Sequence, residues 1–144
     1  MTEIEKAYIA GIIDGEGSIM LQRFHTNQYP APCVSIASTT IELLTWLKDT
    51  IGYGVIIKKK NYNPEKHKLS YSFVIKQNNA IKLLEDIYPY LIIESKRKRA
   101  EMIITQYKAL TLEMVGVQMN SLLKKRYFMR NLLMQNSYIR LELM

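Results

Sequence analysis

A lone cysteine cannot close a disulfide within its own chain, and Cys33 is the only one here. That excludes a disulfide-stapled scaffold and a thiolate zinc cluster. Histidine is nearly as scarce. His25 and His67 stand apart, so no HNH or His-Cys metal constellation forms, and both read as surface or loop residues. No Walker-type glycine loop and no G-x-S-x-G elbow is present, which removes the usual signatures of nucleotide hydrolysis and serine-nucleophile chemistry. No apolar run is long enough to span a bilayer and no signal peptide is visible. An intracellular protein, in cytoplasm or organelle and without a membrane partner, is expected.

What remains suits one domain with a real core. The chain has 144 residues, 48% of them hydrophobic, so it is not a disordered polypeptide. The eight methionines read as core and interface filler. The net charge is +7, and a dimer would carry twice that. Such a balance attracts polyanions, nucleic acid among them, although a merely basic soluble protein has it too.

Residues 9–17 read Ile-Ala-Gly-Ile-Ile-Asp-Gly-Glu-Gly and occur once. Upstream, Thr2 and Glu5 form an S/T-x-x-E capping box, which predicts a helix from about Glu3. Ile4, Tyr8, Ile9, Ile12 and Ile13 follow at helical spacing. Ala7, Gly11 and Gly15 recur every fourth residue with Ala10 beside them, leaving a flat stripe that another backbone can approach. Glycine within a helix costs roughly 1 kcal/mol relative to alanine, so Gly11 implies a packing reason. Gly15 suits the left-handed position that closes a helix. Asp14 and Glu16 then fall at the C-terminal end, where the helix dipole disfavours negative charge. Two carboxylates there mark either an ordinary acidic turn or the place of a hard cation such as Mg2+.

After Gly17 the period changes to two, predicting a strand over 18–25 with Ile19 and Leu21 on one side and Met20, Gln22 and Phe24 on the other. Residues 26–32 read as a loop and 33–38 as a return strand. Thr39 and Glu42 form a second capping box before a helix carrying Leu43, Leu44, Leu47 and Ile51, closed by Gly52. The order then repeats, with strands over 53–60 and 69–76 and a helix capped by Asn78 or Asn79 and stopped at Pro89. Ser95 caps a further helix over about 96–114, and residues 119–136 carry a broad apolar face. The chain divides into a core over 1–114 and a helical extension of the same domain over 115–144. The predicted fold class is α+β, in the order α-β-β-α-β-β-α, with a four-stranded antiparallel sheet and C-terminal helices.

The nonapeptide resembles the signature of the LAGLIDADG homing endonucleases at all nine positions, and the element order resembles their core over roughly residues 1–110. The resemblance implies a site-specific, metal-dependent enzyme that hydrolyses phosphodiester bonds of double-stranded DNA. Mg2+ is the implied cofactor, with Mn2+ as a substitute and Ca2+ as a non-cleaving occupant. Glu16 becomes the metal ligand, aided by the Gly15 carbonyl, and Asp14 a structural acid at the turn. A single motif implies a homodimer, with Ala7, Ala10, Gly11 and Asp14 at the helix contact, acting on a long, near-palindromic target. Residence in an intron rather than an intein is implied, since nothing resembles a splicing domain.

One face of such a sheet packs on helices and the other meets the major groove, where a β-ribbon fits. Carried onto this chain, that puts Met20, Gln22, Phe24, Thr26, Ser35 and Ala37 toward the bases. Lys59, within the run 58–60, is either a phosphate contact or part of a solvated charge run. The last strand, around Tyr71 and Phe73, has no evident orientation. The family's basic residue near the metal falls on Lys96, or second on Lys98, while Arg97 and Arg99 grip the backbone. A polar residue that holds water in the family falls on Ser38 or Thr39, whose shorter side chains depart from the usual glutamine. Two other readings stay open: a group I intron maturase binding RNA on the same fold, and a DNA-binding regulator that no longer cleaves.

Overall fold

The computed structural model describes residues 1–26 and 30–107. The expected helical residues 108–114, the apolar segment 119–136, the extension 115–144 and the loop tip 27–29 lie outside the described residues.

Helix α1 spans Glu3–Glu16 and begins as the sequence predicts, with both arms of the Thr2/Glu5 capping box formed. Its end differs. Gly15 remains helical and is not left-handed; the helix runs one residue further and gives way at Gly17, whose φ of −88° is extended. Gly17 is required for space instead. A Cβ there would stand 2.7 Å from the Ile13 Cα and 2.9 Å from its carbonyl oxygen. Both obstacles are backbone, so Gly17→Ala should cost about 1–3 kcal/mol of stability, as overpacking does. Urea unfolding tests this, and a wild-type midpoint for the variant would contradict it.

The sheet follows from four short strands: β1 (Gly17–Gln22), β2 (Ala31–Ser38), β3 (Val55–Lys58) and β4 (Tyr71–Lys76). All pairings are antiparallel, in the order β1-β2-β4-β3. β2 starts at Ala31, two residues earlier than the sequence suggests. Pro32 is tolerated because the β4 ladder begins only at Cys33, leaving Pro32 paired with β1 alone. β3 and β4 are shorter than expected. Gly54 takes φ +110° and lies so close to the Phe73 ring that no side chain fits, which ends any strand before Val55. Beyond Lys58 a single bond from the Lys59 N–H to the Ser70 carbonyl carries the pairing on.

Helix α2 (Ile41–Ile51) closes at Gly52 in the left-handed conformation, φ +87°, as expected. The Thr39/Glu42 box does not form. Thr40 occupies the cap without a side-chain bond, and its N–H is taken by the Ser38 hydroxyl oxygen at 3.0 Å. Helix α3 (Gln77–Ile87) is capped by neither Asn78 nor Asn79. The chain turns directly from strand to helix through Gln77 at φ +57°, a conformation costly for a residue with a Cβ. Pro89 sits in a 3₁₀ turn, Tyr88–Tyr90, that ends α3. Helix α4 (Glu94–Met102) starts one residue before Ser95, which therefore does not cap it, and passes into a π turn at Ile103–Tyr107.

Burial at periods of two and 3.6 meets in one core. Ile19, Leu21, Val34, Ile36, Phe73 and Ile75 line one sheet face. They pack with Ile9 and Ile13 of α1, Leu44 and Leu47 of α2, Leu83, Leu84 and Ile87 of α3, and Ala100 of α4. The helices therefore cover one face of the sheet and leave the other open.

Candidate functional site

Two helix ends meet above the first strand. An α-helix leaves its last four carbonyls and its first amides without partners. Here each end supplies the other. The Lys96 ammonium of α4 donates to the Ile13 carbonyl at 2.7 Å and to the Asp14 carbonyl at 2.5 Å, both in the last turn of α1. The Asp14 carboxylate accepts the N–H groups of Ile92 at 2.8 Å and Ile93 at 3.3 Å, just where α4 begins. An ammonium at a helix C-terminus and a carboxylate at an N-terminus are both favourable to the dipoles. Burial pulls the Lys96 amine below the usual lysine range; Arg99 adds to this, while Asp14 and Glu16 oppose it.

This clasp holds the end of α1, so the next acid points outward. Glu16 is exposed and borders an open depression of about 500 Å3 with Ala37, Ser38, Thr39, Leu43 and Ser70. The structure thus brings together Glu16, Ser38 and Thr39, which the sequence could place only as separate candidates. Lys96 does not line the depression; its ammonium is tied to main-chain carbonyls, near enough to Glu16 to feel its charge. Among the described residues no group of three acids, histidines or cysteines could hold a metal ion. One chain supplies the Glu16 carboxylate and the Gly15 carbonyl, hard oxygen donors of the kind Mg2+ takes, but too few to fill its shell.

The open face of the sheet is ordered in cross-strand rows. Ser18 lies opposite Ser35, which lies opposite Val74 and then Val55. Met20, Cys33 and Lys76 make the next row, and Gln22 with Ala31 the one after. Ala37, Ser72 and Ile57 make the row on the other side. Met20, Gln22, Ser35 and Ala37 therefore occupy the face expected of them. Phe24 and Thr26 follow β1 in a bend rather than within the strand. The orientation of β4 is settled: Phe73 and Ile75 face the core, while Ser72, Val74 and Lys76 face out. Sequence reasoning missed Lys76, although the alternation that turns Phe73 inward would have found it. Past β3, Lys58, Lys59, Lys60 and Lys68 surround a depression of about 630 Å3 with His67.

Two expectations are corrected. Ala10 is fully buried in the chain's own core and cannot line a helix contact with another chain. The Asp14 carboxylate is turned onto α4 and is not presented outward. Arg97 is engaged within the chain, its guanidinium 5.0 Å from the Tyr88 ring centre and bonded to the Leu91 carbonyl at 3.3 Å. Its side chain is exposed all the same, and these contacts leave the expected DNA contact open. Lys98 is exposed and pairs with Glu94 at 2.7 Å. On the outer side of α1, Ala7, Gly11 and Gly15 are exposed, with nothing within 4 Å of a Cβ built on either glycine. Ile4 and Tyr8 flank that stripe at 83% and 55% exposure.

No family model and no curated protein sequence matches the chain. Solved structures do. An archaeal intron-encoded homing endonuclease, I-Vdi141I, complexed with DNA, is 21% identical, with a TM-score of 0.64 over 90% of this chain and 82% of that one. The chain has the fold of the LAGLIDADG homing endonucleases. I-CvuI, a homing endonuclease in complex with its target and Ca, shares the fold at 19% identity and a TM-score of 0.58, over 78% of this chain and 74% of that one. The meganuclease I-SmaMI, bound to uncleavable DNA, does so at 16% identity and a TM-score of 0.61. There the match covers 86% of this chain but 43% of the neighbour. Against this LAGLIDADG fold, the chain is commensurate with the first two proteins and with about half of the third.

Proposed function

We propose that the chain is a homodimeric, divalent-metal-dependent endonuclease that makes double-strand breaks at a long, near-palindromic DNA site. The observation that carries this reading is Glu16, an exposed carboxylate fixed at the end of α1 by the Asp14–Lys96 clasp, beside the open sheet face. The neighbours described above were solved as DNA complexes, one of them with Ca. The single motif, the exposed Ala7/Gly11/Gly15 stripe and the coverage of about half of I-SmaMI support two copies per site.

On this reading, Glu16 and the Gly15 carbonyl of each chain hold Mg2+, and two α1 helices meeting along the stripe bring the two carboxylates together. The bound metal would lower the pKa of water and offset charge on the phosphate. The chain's own residues do the rest. Ser38 accepts the Thr40 N–H, so its own hydroxyl hydrogen is aimed elsewhere and can orient a water in the depression beside Glu16. Lys96 keeps the helix end in place. The open sheet face lies in the major groove, and the lysines at 58–60 and 68 meet phosphates, whose neutralisation makes binding salt-dependent.

A supercoiled plasmid library incubated with Mg2+ tests the proposal. Linear product with wild type, abolished by a chelator, is expected. Binding without cutting would leave a regulator, and binding of structured intron RNA without DNA cutting would leave a maturase. Gly11→Leu should abolish the dimer, because its side chain would fill the stripe. A dimer persisting in sedimentation would place the interface elsewhere.

A further inference from the structure

Within the strands of the open sheet face, among the described residues, Lys76 is the one cation. It is the last residue of β4, because Gln77 turns the chain away at φ +57°. Its ammonium lies 4.1 Å from the centre of the Phe24 ring. Cys33, between Met20 and Lys76 in the same row, is only 1% exposed, whereas Met20 is half-buried and Lys76 itself is exposed. A surface lysine ordinarily samples many rotamers and loses them on binding. Here the aromatic ring attracts the ammonium and orders it beforehand.

We propose that Lys76, held by Phe24, reads a guanine at one position of each half-site. This rests on the DNA-binding function proposed above. An ammonium has donors and no acceptor, so it matches an edge with acceptors alone. In the major groove, guanine presents O6 and N7 together, whereas adenine sets a donor beside its N7. The neighbours in Lys76's rows are uncharged, unlike the lysines clustered around 58–60 and 68, whose place past the strand end suits phosphates. Phe24 acts as a positioning residue through Lys76.

Selection from a randomised duplex pool tests this, using wild type, Lys76→Met, Phe24→Leu and Phe24→Tyr. Wild type should select guanine at one position per half-site. Lys76→Met should lose that preference alone and bind the selected site roughly 5- to 150-fold more weakly. Phe24→Leu should relax the same position, and Phe24→Tyr, which keeps the ring, should restore it. Uniform weakening on all sequences, with a salt slope reduced by about one, would make Lys76 a phosphate contact and overturn the proposal. Unchanged preference in Lys76→Met would overturn it as well, with the DNA-binding reading left standing. Wild type selecting no sequence would remove both.

Discussion

Glu16→Gln should bind target DNA as wild type does and cut it at least about a thousandfold more slowly. The substitution keeps shape and removes the charge that a metal ligand needs. A loss of about 4 kcal/mol in transition-state stabilisation corresponds to that factor. The fold should not suffer. Glu16 is exposed and stands at a helix C-terminus, where negative charge is unfavourable. The variant should therefore unfold no earlier than wild type. Single-turnover cleavage beside urea unfolding makes the comparison. Undiminished cutting would remove Glu16 from the chemistry, and an early midpoint would mean that the acid holds the fold rather than a metal.

Lys96→Met should behave in the opposite way, losing stability and activity together. Two charge-assisted hydrogen bonds disappear; the Asp14 carbonyl loses the Lys96 donor, while the Ile13 carbonyl keeps the Gly17 N–H. A cost of about 2–3 kcal/mol follows from bonds of that kind. The end of α1 should loosen, so the rate constant for cleavage should fall while the affinity for DNA, which the proposed function assigns to the sheet, changes little. Loss of affinity with an unchanged rate would instead make Lys96 a DNA contact. The pH dependence has a definite sign. The folded chain holds the Lys96 proton less tightly than the unfolded chain does. Between the lowered folded value and the ordinary lysine value the unfolded state binds more protons, so this group's contribution to stability rises with pH there. The slope attributable to Lys96 should be missing from Lys96→Met.

What the sequence showed and hid has a physical pattern. The start of α1 was legible because its cap is closed by residues three apart, Thr2 and Glu5. The closure of α2 was legible because Gly52 alone meets the requirement for positive φ. The faces of β1 and β2 followed from alternation. The start of α4 was hidden because Asp14, from 78 residues upstream, meets the Ile92 amide and, beside it, that of Ile93, just ahead of the helix. The end of α1 was misread for a related reason. Gly15 offers the familiar closing residue, but the Gly17 N–H closes on the Ile13 carbonyl, and Lys96 reaches the Ile13 and Asp14 carbonyls from another helix. Gln77 was hidden because an abrupt strand-to-helix turn overrides the capping preference of the asparagines beside it. Ala10 neighbours Gly11 in sequence and so suggests the outer stripe, yet a step of one residue rotates a helical position by roughly 100° and carries it into the core.

The alternation of the sheet also bears on how this protein can change. Along β1 and β4, neighbouring residues answer to different masters, one to the helices beneath and the next to whatever lies above. The two messages are interleaved in a single stretch of chain but point to opposite faces of the sheet, and effects at sites without shared partners tend to add. Ser18, Met20, Ser35, Ser72 and Val74 can thus vary while Ile19, Ile36, Phe73 and Ile75 stay fixed. Such a surface can drift toward a new ligand one row at a time, without the fold having to be reinvented.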